Sequence, residues 1–525
     1  MAQAQLEARV NAAIERKDWP AAAAGLRELV AVAPGSARAW IELSYVESFR
    51  GRYRAAAEAI RNASRLPNPA RADIADLIAR LRTFNDACGV RGIARALLRA
   101  EDPDPGLLAA CAGQLSNLND HDLALECARR AVAVDPGGIA PRLARAQVLA
   151  QHGDIEHATA DFDWCVARVP RLAAAWWGLS RLRRQTPASN HVVPLRHLLA
   201  APGSAPADRS YAGYALHKEL DDLGEVDGAW QALESACRAK RSTLQYSAAD
   251  SRGLVDGLAA SPVPGPPQPA SHGSGRVPVF IVGMHRSGTT LLEQLLDASP
   301  QVRGVGELYD FTSAMRYATD HHCKGVIDRV IVERAEEVDF AEVGRRYLDG
   351  MAWRLGDEHF FTDKLPSNFL NIGYICRALP QARILHMVRD PVETCFSNLR
   401  ELFADANPYS YDQLELADYF IQYRRLMAHW HATCPGRIFD VDYAALTRDP
   451  GATMREVAAF CGIDYIDAMR DPRSSTRAVA TASAVQVRDK VVRRDVPKWL
   501  PYAGYLQPLV AALRQGGIEV ADLPA

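Results

Sequence analysis

"VFIVGMHRSGTTLLEQLLDASP", Val279 to Pro300, runs from an uncharged apolar stretch through a glycine-punctuated turn into leucines at helical spacing. Strand, tight turn, then helix is the setting a phosphate-binding loop needs. Gly283 and Gly288 permit the turns. The amides around Ser287 to Thr290 are predicted to point at an anion near the helix N-terminus, where the helix dipole favours negative charge. One part is missing. A loop for ATP reads G-x-x-x-x-G-K-S/T, its lysine serving the β- and γ-phosphates and the following hydroxyl holding Mg²⁺. Here Thr289 stands in the lysine's place, and Arg286 lies two residues before Gly288. No second carboxylate motif marks a metal. The loop therefore predicts a phosphate site that lacks both the lysine and the cation of a polyphosphate site.

Downstream, "ARILHMVRD" reads as a second buried strand with "PVETCFSNLRELF" as its following helix. "GRIFDVDY" reads as a third strand, followed by helices around "AALTRDPGATMREVAAFCGI". Strands alternating with helices predict an α/β P-loop-type domain with a parallel sheet over residues 278–525, its ligand at the carboxyl ends of the strands. Upstream, "SPVPGPPQPASHGSGRVP" carries six prolines and three glycines and predicts a linker over 261–277.

Residues 1–250 are helical and periodic. "NDHDLALECARRAVAVDP" ends at Pro136 and "HGDIEHATADFDWCVARVP" at Pro170, 34 residues on; "DWPAAAAGLRELVAVAP" and "GRYRAAAEAIRNASRLP" end at Pro34 and Pro67. Trp40 and Trp176 each fall six residues after such a proline. Small alanines at i and i+4 let paired helices approach, and the proline ends the second helix. The period resembles the tetratricopeptide repeat. That resemblance implies an all-α superhelix of about five to seven stacked units with a surface for a partner, with 67–103 and 170–240 as degenerate stretches.

The whole chain sets limits. Its 525 residues predict two to four domains, and a net charge of −2 gives no global electrostatic case for nucleic acid or membrane. The ten cysteines are scattered without a C-x-x-C pair, so neither a zinc site nor a disulfide framework is predicted, and free thiols suit a cytoplasmic location. The N-terminus lacks a signal-like apolar core, and no long uninterrupted apolar run predicts a membrane span.

"RSGTTLLEQLLDASPQVRGVGE" resembles the 5′-phosphosulfate loop of sulfotransferases that use 3′-phosphoadenosine-5′-phosphosulfate (PAPS), closest to the tyrosylprotein sulfotransferase-like branch. "ILHMVRDPVETCFSNLRELF" resembles that family's 3′-phosphate motif. The resemblance spans about Val277 to Val510. It implies metal-free transfer of a sulfuryl group from PAPS to an acceptor hydroxyl, protein tyrosine or glycan. Arg286, Ser287, Gly288, Thr289 and Thr290 would hold the 5′ group, and Arg389 and Ser397 the 3′-phosphate. Glu307, in "VRGVGELYDF", matches the family's catalytic base, and Lys364, in "FFTDKLPSNF", its catalytic lysine. Ser483, Lys498 and Tyr443 match donor-contacting positions. Asp495 and Pro497 depart from the usual serine and glycine there, which bears on Lys498.

Several alternatives stay open. Glu307 can instead cap a helix or pair with Arg303, Lys364 can pair with Asp363 at the surface, and His285, His321 or His322 is the rival base. The aromatic run from about Asp412 reads as helix core, and "HHC" at His321 to Cys323 as a bland loop. At the level of the protein, the rivals are a repeat scaffold with a nucleotide-sensing C-terminal domain and a P-loop kinase. The repeats would bind a peptide or protein partner.

Overall fold

The computed structural model describes residues 2–67, 69–261, 275–474 and 496–521. The N-terminal region is a series of helix pairs. First helices begin at Ala37, Arg71, Pro105, Ile139 and Ala173, 34 residues apart each time. The turn inside each pair carries a residue with positive φ at the same interval: Lys17 (56°), Gly51 (69°), Asn85 (55°), Asn119 (58°) and Gly153 (84°). Such a residue reverses the chain after one helix, and glycine or asparagine adopts it most readily. The next residue opens the second helix. Asp18, Asp86 and Asp154 accept there from the amides of Ala21, Gly89 and His157, while Arg52 makes no side-chain cap. Four residues further on lie Ala22, Ala56, Val90, Ala124 and Ala158, all at 0% exposure where the paired helices meet.

The stretch 67–103, expected to be degenerate, holds a full pair in register, Arg71–Thr83 and Ala87–Arg99. Val90 replaces the alanine that made the other pairs recognisable, and Ala100, extended at ψ 142°, ends the second helix without a proline. The pair from Ala173 is irregular. A bridge between Thr186 and Ser189 precedes a short helix, Val192–Ala200. Longer helices Pro206–Leu223 and Val226–Arg241 follow. The Trp40 and Trp176 indoles donate to the carbonyls of Pro34 and Pro170 (3.0 and 2.8 Å), and Arg142 Nε donates likewise to Pro136 (3.2 Å). Each proline thus ends one pair and tethers the first helix of the next.

Two compact units are assembled from discontinuous stretches. One joins Met1–Val148 to Tyr309–Lys324 and Glu333–Gly350. Within it, Arg54 binds the Asp320 carboxylate through its amide (2.7 Å) and the carbonyls of Tyr317 and Ala318 through its guanidinium (2.9 and 2.8 Å). The other joins Leu149–Leu308, Gly325–Val332 and Met351–Ala525, so the helices from Ile155 to Ala260 belong to the same unit as the sheet.

The sheet has five parallel strands: β1 (Val277–Gly283), β2 (Val302–Arg303), β3 (Phe360–Asp363), β4 (Arg383–Val388) and β5 (Ile438–Asp442), in the order β2-β3-β1-β4-β5. Residues Val279 to Val282 are fully buried at its centre, and Leu292, Leu295 and Leu296 of the helix Thr289–Asp297 pack on the sheet's core. Three strands were legible as apolar runs. β2 and β3 have two and four residues and are too short for a periodic signal. The chain steps to one side of β1 for β2 and β3 and to the other for β4 and β5, so the reversal, and with it the expected crevice, falls at the carboxyl end of β1. The aromatic run is a helix, Gln413–Thr433, capped by Asp412, with Phe420, Tyr423 and Trp430 buried as core. No helix among the described residues is long and apolar enough to cross a membrane.

Candidate active site

Every strand delivers a candidate residue at its carboxyl end. β1 runs into the loop Met284 to Gly288, β2 leads to Glu307, β3 to Lys364, β4 to Arg389 and β5 to Tyr443. The loop is built by three positive-φ residues, Gly283 (146°), Arg286 (66°) and Gly288 (112°). A Cβ on Gly283 would lie 2.8 Å from the Met387 carbonyl oxygen, and one on Gly288 would lie 2.5 Å from the Tyr443 ring. Both glycines are therefore required by close approach as well as by φ. The Ser287 amide closes a turn onto the Met284 carbonyl (3.3 Å), and the helix Thr289–Asp297 starts directly after Gly288, with Thr289 and Thr290 buried in its first turn.

The two predicted arginines meet. Arg389 donates from Nη1 to the Arg286 carbonyl (2.9 Å) and from Nη2 to Glu393 Oε1 (2.8 Å), and its guanidinium lies 4.4 Å over the Tyr443 ring. Tyr443 is thus held between Gly288 and Arg389. The Arg286 side chain reaches Ser397, Nε to Oγ 3.4 Å, and lies 3.8 Å from Glu401 Oε2. Burial pulls the Arg286 pKa down; Glu401 opposes that, and Arg181, Arg389 and Arg400 add to it. Glu401 is also 3.5 Å from Arg181. Arg400 pairs with Asp221 (2.5 Å), which accepts from Tyr502 (2.6 Å). Burial pushes the Asp221 carboxyl up, but Arg400 and the Tyr502 hydroxyl outweigh it and hold the group below its ordinary range. The Lys498 amide donates to the second oxygen of Glu393 (3.1 Å), and its charge acts on Asp221. Ser483 and Asp495 lie outside the described residues.

The predicted base and the predicted lysine touch: Lys364 Nζ donates to Glu307 Oε1 at 2.7 Å. Lys364 is fully buried, and Glu307 keeps about a third of its side-chain surface. Lys364 is thus a buried partner of Glu307, not a surface partner of Asp363. Three residues absent from the sequence reading hold this corner. Asp297 accepts from the Gly304 amide (2.7 Å). Glu293 accepts from the Gly306 amide (2.9 Å) and from Thr362 Oγ1 (2.7 Å), and the Lys364 amide donates to the Gly306 carbonyl (3.0 Å). Their signal was present: Glu293 and Asp297 are four apart on the loop helix, on one face. Glu393, on the first turn of the helix Pro391–Leu399, reaches back to Arg389 at the end of β4, a contact that only the strand-to-helix turn creates.

His285 lies beside this pair. Burial lowers its pKa to about 4, with Glu307 opposing and Lys364 and Arg286 adding, so the ring is neutral near pH 7. Tyr409 lies 3.4 Å from His285 Nδ1, and Asn398 donates to the His285 carbonyl (2.7 Å).

Does this corner fit an anion? Among the described residues, the buried hydroxyls of Ser287 and Thr394 have no hydrogen-bond partner, and both line a hollow with Met387, Arg389 and Tyr423. Buried polar groups are ordinarily satisfied, so two such hydroxyls beside an arginine and a helix N-terminus offer donors of the kind a phosphate takes, although the hollow as it stands has no room for even a water. Metal-capable donors gather elsewhere. His386, His431 and Asp440 place donor atoms within 4.8 Å of one another, and Asp440 Oδ1 already bonds both rings (2.7 and 2.9 Å).

The family model described as "Sulfotransferase family" matches residues 278–487, so the C-terminal region carries a sulfotransferase-family domain. The chain is 30% identical over 342 residues to an uncharacterized protein of Aquifex aeolicus (strain VF5), covering 62% of this chain and 44% of that one. It is 25% identical over 186 residues to a Caenorhabditis briggsae protein named "Putative protein-tyrosine sulfotransferase", covering 35% of this chain and 64% of the relative. The chain thus spans about half to two thirds of the length of these relatives. Among solved structures, the sulfotransferase domain from the curacin biosynthetic pathway aligns at 12% identity and a TM-score of 0.31, covering 47% of this chain and 100% of that one.

Proposed function

We propose that this protein transfers a sulfuryl group from PAPS to an acceptor hydroxyl. The observation that supports the reading most is the Glu307–Lys364 contact of 2.7 Å on the same sheet edge as the phosphate-type loop and Arg389. In this reading the first-turn amides of the helix Thr289–Asp297, with the Ser287 hydroxyl, hold the 5′-phosphate. Arg389, Ser397 and the Arg286 side chain hold the 3′-phosphate. The Arg286 side chain is assigned to the 3′ end because it meets Ser397, whereas the loop motif had suggested the 5′ end.

Glu307 takes the acceptor proton as the new oxygen–sulfur bond forms, and the sulfur–oxygen bond to the 5′-phosphate breaks. Lys364 orients Glu307 and lies where an ammonium can meet charge developing on the departing phosphate oxygen. Positioning and charge stabilisation do most of the work, as in phosphoryl transfer. No step calls for a metal. Neutral His285 serves as packing and as a dipole near the pair, not as the base.

The helix pairs of the N-terminal region, with their 34-residue period, are read as tetratricopeptide-type repeats that bind a peptide or protein partner. A protein tyrosine is the first acceptor to try and a glycan hydroxyl the second. Ten free cysteines fit a cytoplasmic setting. The test is transfer of labelled sulfate from PAPS to tyrosine peptides and glycans, alongside binding of 3′,5′-adenosine bisphosphate. Binding without transfer to any acceptor favours a nucleotide-sensing scaffold, and Mg²⁺-dependent ATP turnover a kinase.

A further inference from the structure

Charge at the Arg286 corner is balanced in an unusual way. Burial and neighbouring guanidiniums disfavour the Arg286 cation, and Glu401 is the carboxylate that relieves it most among the described residues. Yet Glu401 is only 7% exposed and makes no close bond to Arg286. It lies 3.8 Å from Arg286 on one side and 3.5 Å from Arg181 on the other. These are distances of charge pairing, outside good hydrogen-bond geometry. Arg181 is the last residue of the helix Ala173–Arg181, far upstream of the sheet in sequence. The neighbouring Arg400 is already neutralised by Asp221. The Glu401 carboxylate is thus shared between an arginine of the phosphate corner and an arginine of the helical region.

We infer that Glu401 is a displaceable counter-ion for the 3′-phosphate site, and that Arg181 is the positioning residue that receives it when the phosphate arrives. This rests on reading the corner as the donor pocket. The entering phosphate takes Arg286 and Ser397, and Glu401 keeps a cationic partner in Arg181 instead of being left buried and unpaired, which would oppose binding strongly. Arg181 also adds positive potential beside the anion. The helical region thereby takes part in donor binding, which separates it from a module concerned with partners alone.

The signs differ between the two residues, which makes the inference breakable. Titration calorimetry with 3′,5′-adenosine bisphosphate and, as the control lacking the 3′-phosphate, adenosine 5′-phosphate is the measurement. Removing a competing carboxylate with Glu401→Gln is expected to tighten the bisphosphate about threefold to tenfold. Arg181→Gln is expected to weaken it by a similar factor, in line with single charge contacts. Neither substitution should move adenosine 5′-phosphate, and the two effects should be non-additive in the double variant. A wild type that does not prefer the bisphosphate removes the donor-pocket reading itself. A wild type with that preference, but a Glu401→Gln variant that binds no tighter or tightens both ligands equally, overturns the counter-ion role. If Glu401→Gln does not fold, Arg181→Gln alone decides, since unchanged bisphosphate affinity there is equally fatal.

Discussion

The turns of the helix pairs and the loop after β1 both depend on positive φ, and they use it to opposite ends. In the pairs, Lys17, Gly51, Asn85, Asn119 and Gly153 each reverse the chain once, and at three of these five turns the next residue is an aspartate that caps the second helix. After β1, three such residues fall within six positions, Gly283, Arg286 and Gly288, and two buried hydroxyls nearby lack partners among the described residues. Arginine is an unusual occupant of that φ, and its side chain reaches Ser397 of the helix Pro391–Leu399 and Glu401 just beyond that helix. Strain and unsatisfied polar groups are expected where a ligand completes the structure. At the loop these features converge on one spot, beside Arg389 and a helix N-terminus.

The largest expected effect tests whether the edge is catalytic. Glu307→Gln should lower kcat by about 10²–10⁴-fold, the usual scale for losing a general base. Affinity for 3′,5′-adenosine bisphosphate should stay within about twofold, because the proposed reading puts the glutamate on the acceptor side of the chemistry. Turnover at the wild-type rate would reassign the base. Next in size is Arg389→Ala. It removes a charged fork together with its stacking on Tyr443, and bisphosphate binding should weaken about 10- to 100-fold. An unchanged dissociation constant in calorimetry would sink the 3′-phosphate assignment.

Acid should separate the loop from the turns as well. The His285 pKa falls from the ordinary 6.5 to about 4 on folding, chiefly through burial. A depressed folded pKa gives stability that is fully present above the unfolded value and is lost as pH falls towards the folded one. Denaturant midpoints of the wild type should therefore drop between about pH 6.5 and 4, and His285→Asn should drop less steeply. Some acid sensitivity will remain in that variant, because His217 is shifted the same way, also to about 4. Equal slopes for the two proteins would show that His285 is not held neutral.

Legibility in the sequence followed the range of the interactions. The loop, β1, β4, β5 and the 34-residue period are local patterns, and local patterns can be read from one chain. Glu307, Lys364, Arg389 and Tyr443 could be named from motif resemblance, but their meeting at one sheet edge could not. That depends on β3 inserting between β2 and β1, and β3 is only four residues long. Thr362, Glu401 and Arg181 were missed because their partners lie far off along the chain, from 69 residues for Thr362 and Glu293 to more than 200 for Arg181 and Glu401. The helix pair at 71–99 reads as degenerate in the sequence for a smaller reason, an alanine exchanged for valine at a position the turn geometry had already fixed.

Glycine substitutions compare the two kinds of turn directly. Gly288→Ala combines a disfavoured φ with a clash against the Tyr443 ring, which would lie 2.5 Å from the new Cβ. It should lower both stability and bisphosphate affinity, because Tyr443 supports Arg389. Gly51→Ala has nothing within 4 Å of the new Cβ, so only φ counts. A loss of about 1–2 kcal/mol in denaturant unfolding is expected there, with ligand affinity untouched. If both variants behave alike in binding, the ring contact carries no function.

The smallest effect is a gain. Arg52 stands at the position where Asp18, Asp86 and Asp154 cap their helices, and it makes no side-chain cap. It is exposed, and the residue before it, Gly51, already sets the turn. Arg52→Asp should supply an acceptor to the Ala55 amide in the first turn of the helix Tyr53–Ser64, where the Arg54 amide is already taken by Asp320, and add a negative charge at its positive end. Stability should rise by about 0.5–1 kcal/mol, and Asp154→Ala should lose about 1 kcal/mol by the same device. Because the two turns lie in different repeats and share no partner among the described residues, the two changes should add without coupling and leave any sulfate transfer unchanged. A destabilised Arg52→Asp variant would show that the second pair is organised by something other than the shared turn.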